Sequence, residues 1–127
     1  MKIEHIAVWA NDIEKLRNFY VSYFGMISND MYHNKNTGFR SYFLSFPGES
    51  ARIEIMSRDD VRESALKEML GFSHFAISVG SKEKVDELAV TLEREGFTIA
   101  SRPRTTGDGY YECAVLDPEG NKVEITV

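Results

Sequence analysis

Two histidines and two glutamates recur in this 127-residue chain at a spacing that could do chemistry. His5-Ile6-Ala7-Val8 near the start matches His74-Phe75-Ala76-Ile77 in the middle, and Ile53-Glu54-Ile55 matches Val123-Glu124-Ile125. From His5 to Glu54 is 49 positions, and from His74 to Glu124 is 50. Taken singly these residues mean little. A glutamate between two apolar strand residues usually marks a solvent face, and a histidine in an apolar strand is more often hydrogen-bonded core than ligand. Recurrence of the whole set changes that weighting. Two imidazoles and two carboxylates in equivalent places offer mixed N/O ligation to a divalent metal, and the carboxylates neutralise its charge. No thiolate joins them, which disfavours a closed structural zinc site, and four such ligands leave room for water or substrate. His33, in Tyr32-His33-Asn34-Lys35-Asn36, has no repeat partner and reads as a surface-loop residue.

Elements of the right kind flank these residues. Each histidine motif precedes an amphipathic helix that ends at a glycine. The first spans about 12–24, with Ile13, Leu16, Tyr20, Tyr23 and Phe24 at helical spacing, an Asn11/Glu14 capping box and Gly25 as its stop. The second spans about 82–95, with Val85, Leu88, Ala89 and Leu92 on one stripe, Ser81 as its cap and Gly96 as its stop. Three β-like runs follow each helix: about 26–32, 39–46 and 51–56, then 97–102, 110–116 and 122–127. Pro47-Gly48-Glu49-Ser50 and Asp117-Pro118-Glu119-Gly120-Asn121 are the turns before the last run of each half. Residues 58–70, charged and helix-forming, read as a connecting helix. The order is β-α-β-β-β twice over, an α+β domain with module one at about 1–57 and module two at about 71–127.

Strand alternation then aims the side chains. In 52–56 the isoleucines face one side and Glu54 the other, and Val123, Ile125 and Val127 likewise oppose Glu124. The helices cover the apolar side, so both glutamates project from the opposite face. His5 shares a face with Ile3, Ala7 and Trp9, and His74 with Phe72, Ala76 and Ser78, which suggests a partly apolar concavity.

Composition bounds the rest. The net charge is −5, with 15 Lys+Arg against 20 Asp+Glu and no basic run, so nucleic acid is an unsuitable partner. A single cysteine makes neither an intrachain disulfide nor a zinc cluster, and Cys113 reads as a small packed residue. The first residues lack the basic-then-apolar pattern of a signal peptide, and no apolar run approaches the ~18 residues of a membrane span. A soluble cytoplasmic protein is the expectation.

On these motifs the chain resembles the glyoxalase I/bleomycin resistance/extradiol dioxygenase group, the vicinal oxygen chelate superfamily. The resemblance runs over essentially the whole chain. It rests on Ile3-Glu4-His5-Ile6-Ala7-Val8, on Phe19-Tyr20 and Gly25, on the stretch from Gly71 to Ile77, and on the stretch from Asp117 to Ile125. It implies paired βαβββ modules forming a U-shaped mixed sheet around a metal, with the helices outside. Within the superfamily, the set His5, Glu54, His74 and Glu124 is similar to that of glyoxalase I. By that likeness the metal is Ni or Zn first, with Co, Mn or Fe possible. The reaction implied is isomerisation of a methylglyoxal–thiol hemithioacetal through an enediolate stabilised by the metal as Lewis acid. Glu124 would be the mobile base and Glu54 the opposite ligand able to assist. Short members of the group build this site across a homodimer.

The chain also departs from that pattern. Trp9 stands at or near the place where bacterial glyoxalase I proteins carry a glutathione-binding Arg, and Arg58 stands four residues after Glu54 where an Asn is expected. Both changes bear on which thiol the substrate contains. Arg102-Pro103-Arg104-Thr105-Thr106-Gly107-Asp108-Gly109 is a candidate substrate loop, or equally a plain hairpin with a basic tip. Trp9, Arg58, Arg104 and Tyr110 are the candidate substrate contacts. Phe39 and Tyr42 could also line a pocket, although single aromatics are more often core. An epimerase or other carbon-acid isomerase using the same ligands, and a non-catalytic protein that sequesters a small molecule, are the alternatives.

Overall fold

The computed structural model of the chain describes residues 3–62, 71–107 and 109–127. They fall into two compact units, Met1–Ser64 and Ala65–Val127. In the first, β1 (His5–Trp9) leads into α1 (Ile13–Phe24), followed by β2 (Ile27–Ser28), β3 (Tyr32–His33), β4 (Arg40–Ser45) and β5 (Arg52–Ser57). The sheet order is β1-β5-β4-β2, with β3 also paired to β4. Helix α1 starts one residue later than the capping-box reading. Asp12, not Asn11, is the N-cap, because its carboxylate reaches the Lys15 N–H at 2.9 Å. Gly25 closes the helix with φ +67°, a left-handed conformation that suits glycine. The buried stripe is Ile13, Leu16, Phe19 and Tyr20, packed on β4 and β5. Opposite it, Leu44 and Ile55 are fully buried.

The expected strand over 26–32 is broken into β2 and β3. Between them Asn29 turns its side chain to the neighbouring strand, where its Oδ1 accepts from the Phe43 N–H at 2.7 Å. A side chain thus takes the place of a backbone ladder partner, and the strand stops there. His33 is a strand residue of β3, paired with Arg40, and is exposed. Residues 58–62 are not helical: they form a turn closed by Val61 N–H to the Arg58 carbonyl at 3.0 Å. The remainder of the expected connecting helix, 63–70, lies outside the described residues.

The second unit repeats the plan with β6 (His74–Ser78), α2 (Lys82–Arg94), β7 (Ile99–Thr105), β8 (Tyr111–Leu116) and β9 (Lys122–Thr126), in sheet order β6-β9-β8-β7. Ser81 caps α2 by accepting from the Lys84 N–H at 3.3 Å. Val85, Ala89 and Leu92 are its buried residues, while Val115, Val123 and Ile125 make the fully buried side of the sheet. Strand β7 starts and ends later than expected and contains Pro103, which an edge strand tolerates because its outer N–H positions need no partner. Both units are therefore βαβββ modules of an α+β fold. Among the described residues, no helix is long and apolar enough to cross a membrane.

One tyrosine pins helix to sheet in each unit. Tyr42 on β4 donates its hydroxyl to Glu14 on α1 at 2.6 Å, and Tyr111 on β8 donates to Asp86 on α2 at 2.7 Å. A cation from the same helix lies over each ring, Arg17 at 5.2 Å and Lys82 at 5.1 Å. The carboxylate acceptor pushes each phenol pKa up, since ionising the phenol would set two anions together. The folded state thus holds the Tyr42 proton more tightly than the unfolded chain. That contribution is complete below about pH 10 and is lost as pH climbs through the raised value. Tyr42→Phe is expected to cost about 1 kcal/mol in urea unfolding at pH 7. The variant should also lose stability less steeply than the parent above about pH 10.

Candidate functional site

In each unit the first strand runs parallel to the last, and this pairing sets the site. Ala7 lies opposite Glu54 in the β1·β5 register, and Ala76 lies opposite Glu124 in the β6·β9 register. Directly opposed residues share a face, so the alanine methyl leaves space into which the glutamate can lean. Each histidine sits two residues before its alanine, on that same face. His5 Nε2 is 3.8 Å from Glu54 Oε2, and His74 Nε2 is 3.2 Å from Glu124 Oε2. Both imidazoles are 39% exposed, whereas Glu54 and Glu124 are 16% and 22% exposed. The structure brings His5 to Glu54 and His74 to Glu124 as two pairs built on the same strand register. Among the described residues, neither unit gathers three or more ligand-type side chains.

The surroundings of the two pairs differ. In the first, Glu4 accepts from His5 Nδ1 and from Arg52. Arg52 also lies 4.0 Å over the Phe43 ring, whose neighbour at 5.5 Å, edge to face, is the His5 imidazole. Hydrogen bonding to His5, with Arg52 assisting, holds the Glu4 carboxyl below its ordinary pKa. A carboxylate on Nδ1–H fixes the tautomer and turns the Nε2 lone pair toward Glu54. In the second pair Ser73 takes that place, 3.3 Å from His74 Nδ1, as a neutral and weaker partner. Glu124 is flanked by Ala76 and Ala114, whereas Glu54 is flanked by Ala7 and Phe43. Glu124 thus has small neighbours on both sides, and Glu54 has a phenyl wall on one. Sequence reasoning missed Glu4, Arg52, Phe43 and Ser73. The residue preceding each repeated histidine was the signal available for Glu4 and Ser73.

The candidate substrate contacts fall in two groups. Trp9 is exposed on the His5 face, edge to face with Phe39 at 6.2 Å, and the Arg58 guanidinium lies 5.4 Å over its ring. Arg58 also donates to Asp60, which keeps its pKa above the ordinary arginine value. Arg104 is on β7, the edge strand opposite β6, three strand spacings or about 14 Å from the strand of His74. It donates to Ser101 on its own strand, and Arg102 is taken up by Glu93 on α2 at 2.6 Å. Tyr110 is exposed and closes the β7–β8 hairpin through its backbone to Thr106. Tyr42 is a buried residue and not a pocket wall. Cys113 is also buried, and burial pushes its thiol up to about 11.

Glu124 owes its register to the turn before β9. Asp117 is 4% exposed, and its Oδ1 accepts from the N–H groups of Glu119 and Asn121, each at 2.9 Å. Its Oδ2 accepts from the Asn121 amide at 2.9 Å. One buried carboxylate thus takes the Glu119 and Asn121 donors of the turn, and the Asp117 carbonyl takes the Gly120 N–H at 2.9 Å.

The chain belongs to the glyoxalase/bleomycin resistance protein/dioxygenase superfamily, whose model matches residues 2–125. Its paired modules are the vicinal oxygen chelate fold of that group. An uncharacterised protein of Pseudomonas aeruginosa is 29% identical over 127 residues, covering 98% of this chain and 86% of that one. A probable trivalent organoarsenical cleaving enzyme of Bacillus subtilis is 28% identical over 129 residues, covering 98% of this chain and 78% of its own. Among solved structures, the trypanothione-dependent glyoxalase I of Leishmania major superposes with a TM-score of 0.77 at 19% identity, over 99% of this chain and 86% of its own.

Removing the turn's organising carboxylate tests how Glu124 is placed. Asp117→Ala leaves the part-buried Glu119 and Asn121 donors unpaired and is expected to cost about 2–3 kcal/mol by chemical denaturation. Slowed hydrogen exchange at the Asn121 amide of the parent should be lost in the variant. Unchanged protection there would show that the backbone holds the turn unaided.

Proposed function

We propose that this chain is a metal-dependent lyase/isomerase of the glyoxalase I type, acting on a hemithioacetal of methylglyoxal or a related α-oxo compound. The twin His–Glu pairs carry the reading. Two ligands side by side on one octahedral ion, each about 2.1 Å from it, stand about 3 Å apart. The separations of 3.2 and 3.8 Å are within a small side-chain adjustment of that value. Four donors, two imidazole nitrogens and two carboxylates, match a divalent ion of the Ni, Zn, Co, Mn or Fe series in charge and softness, with Ni or Zn foremost. Two half-sites are needed to complete that set, and the likeness to short members of the group points to a homodimer that shares it.

A divalent ion there would supply Lewis acidity toward two adjacent substrate oxygens, acidifying the carbon that bears them. The chain's own residues do the rest. Glu124 takes the proton from one carbon and returns it to the neighbour, and its two alanine neighbours give it the freedom to swing. Glu54, backed by Phe43, stays in place as the opposite ligand and can assist. Glu4 is a positioning residue that aims His5. Trp9 and Arg58, stacked on the His5 side, are the contacts proposed for the thiol portion, and Arg104 and Tyr110 those for an anionic end. With Trp9 where an Arg would hold glutathione, a thiol other than glutathione is the better fit. The activity of the Bacillus subtilis relative is a poorer one. Trivalent arsenic favours thiolates, and the one cysteine here is buried with its pKa pushed up to about 11.

Metal analysis after loading with Ni, Zn or Co should find tight stoichiometric binding, and less than about 0.2 ion per subunit would overturn the proposal. Glu124→Gln should keep most of the metal while turnover of methylglyoxal with a panel of small thiols falls about 10²–10⁴-fold. Full residual turnover would remove Glu124 as the base. Glu4→Gln is expected to weaken metal affinity about 10–100-fold by calorimetry. Ser73→Ala should weaken it far less; equal effects would show that the charge on Glu4 has no special part.

A further inference from the structure

A cavity of about 540 Å³ opens in the first unit where α1 begins. It lies on the face of the sheet opposite His5 and Glu54. Alternation along β5 sends Ile53, Ile55 and Ser57 to the helix side, and Arg40 is the direct cross-strand partner of Ser57, so it points the same way. Ser57 and Arg40 both line the cavity.

Each carries unused hydrogen-bonding capacity. Ser57 is 8% exposed, and its Oγ is buried with no hydrogen-bond partner. A buried hydroxyl left unsatisfied is unfavourable, and alanine at that place would avoid the penalty. Arg40 is half-buried, and among the described residues its guanidinium makes no ion pair and no hydrogen bond. Its neighbours are engaged: Arg58 donates to Asp60, and Arg62 donates to the Asp59 carbonyl at 2.6 Å. The N-terminus of α1 is already capped by Asp12, so it adds no anion site of its own. One free hydroxyl donor beside one free guanidinium fork asks for an oxyanion.

Charge on the walls restricts which oxyanion. Asp12, Glu14 and Asp59 line the same cavity beside Arg40, Arg58 and Arg62, so the wall charges balance and a single negative charge is a better match than a dianion. Ala10, Ile13 and Val61 add apolar wall. The volume is that of a small-molecule site. We propose that this cavity binds a small organic monocarboxylate. Its oxygens accept from the Ser57 hydroxyl and the Arg40 guanidinium, and its carbon portion rests on the apolar wall. Neither His–Glu pair takes part, so the inference stands or falls apart from the metal reading.

Titration of the ¹⁵N-labelled full chain with acetate, benzoate, inorganic phosphate and sodium chloride tests it. Saturable shifts at the Ser57 amide and the Arg40 Nε–H are expected with the carboxylates, benzoate the tighter, with weaker binding of phosphate. Ser57→Ala should weaken benzoate about tenfold. The same change should raise the Tm of the ligand-free protein, because it deletes the unpartnered hydroxyl. Arg40→Gln should abolish saturation. Shifts that never saturate, or that chloride reproduces, would reduce the cavity to an adventitious ion only and overturn the proposal. Phosphate binding tighter than benzoate, or unchanged benzoate affinity in Ser57→Ala, would overturn it as well.

Discussion

The parallel pairing of the first and last strands within each module is the constraint on which the rest of the structure depends. A parallel pair needs a crossover, and here the helix and the intervening strands supply it. With β1 against β5 and β6 against β9 in one register, each alanine faces a glutamate, and the histidine two residues earlier falls within reach. The amphipathic helices then have one side of each sheet to cover, which leaves the glutamate side clear of them. Ile53, Ile55, Val123 and Ile125 are the other half of that alternation, all four buried. Site and core are thus two faces of the same strands.

Duplication of the frame has not kept the two pairs chemically equal. Glu4, Arg52 and Phe43 hold His5 from behind, through a charged hydrogen bond, a cation over a ring and an edge-to-face contact. Among the described residues Ser73 is the hydrogen-bond partner behind His74, and alanines flank Glu124 on both neighbouring strands. The first pair is braced by more contacts than the second. For the isomerase proposed above that difference is useful, since one group must hold still while another carries a proton between two carbons.

The sequence made the two His–Glu pairs, the module order and the inward and outward sides of the strands legible, because all three follow from period-two and period-3.6 patterning together with one internal repeat. What stayed hidden depended on side chains acting out of pattern. Asn11 and Asp12 are both good caps, and only the reach of the Asp12 carboxylate to Lys15 N–H decides between them. The break between β2 and β3 comes from a single Asn29 side chain bonding across to Phe43. Glu4 looked like any exposed acid, and its role emerges only when Arg52, 48 residues on, arrives from the neighbouring strand. Arg40 and Ser57 likewise read as ordinary strand residues until cross-strand pairing makes them neighbours.

The turn between β8 and β9 has a consequence for how this chain can change length. Because strand side chains alternate, one residue added at the start of β9 and not absorbed by the turn would shift β9 by half a period, sending Glu124 into the packed interior and Val123 and Ile125 out of it. This turn has little slack to absorb it, because the buried Asp117 carboxylate bonds Glu119 and Asn121 at fixed offsets. The length of that turn is therefore tied to the side of the sheet on which Glu124 stands. The hairpin linking β7 to β8 carries neither His74 nor Glu124, so its length has no such tie.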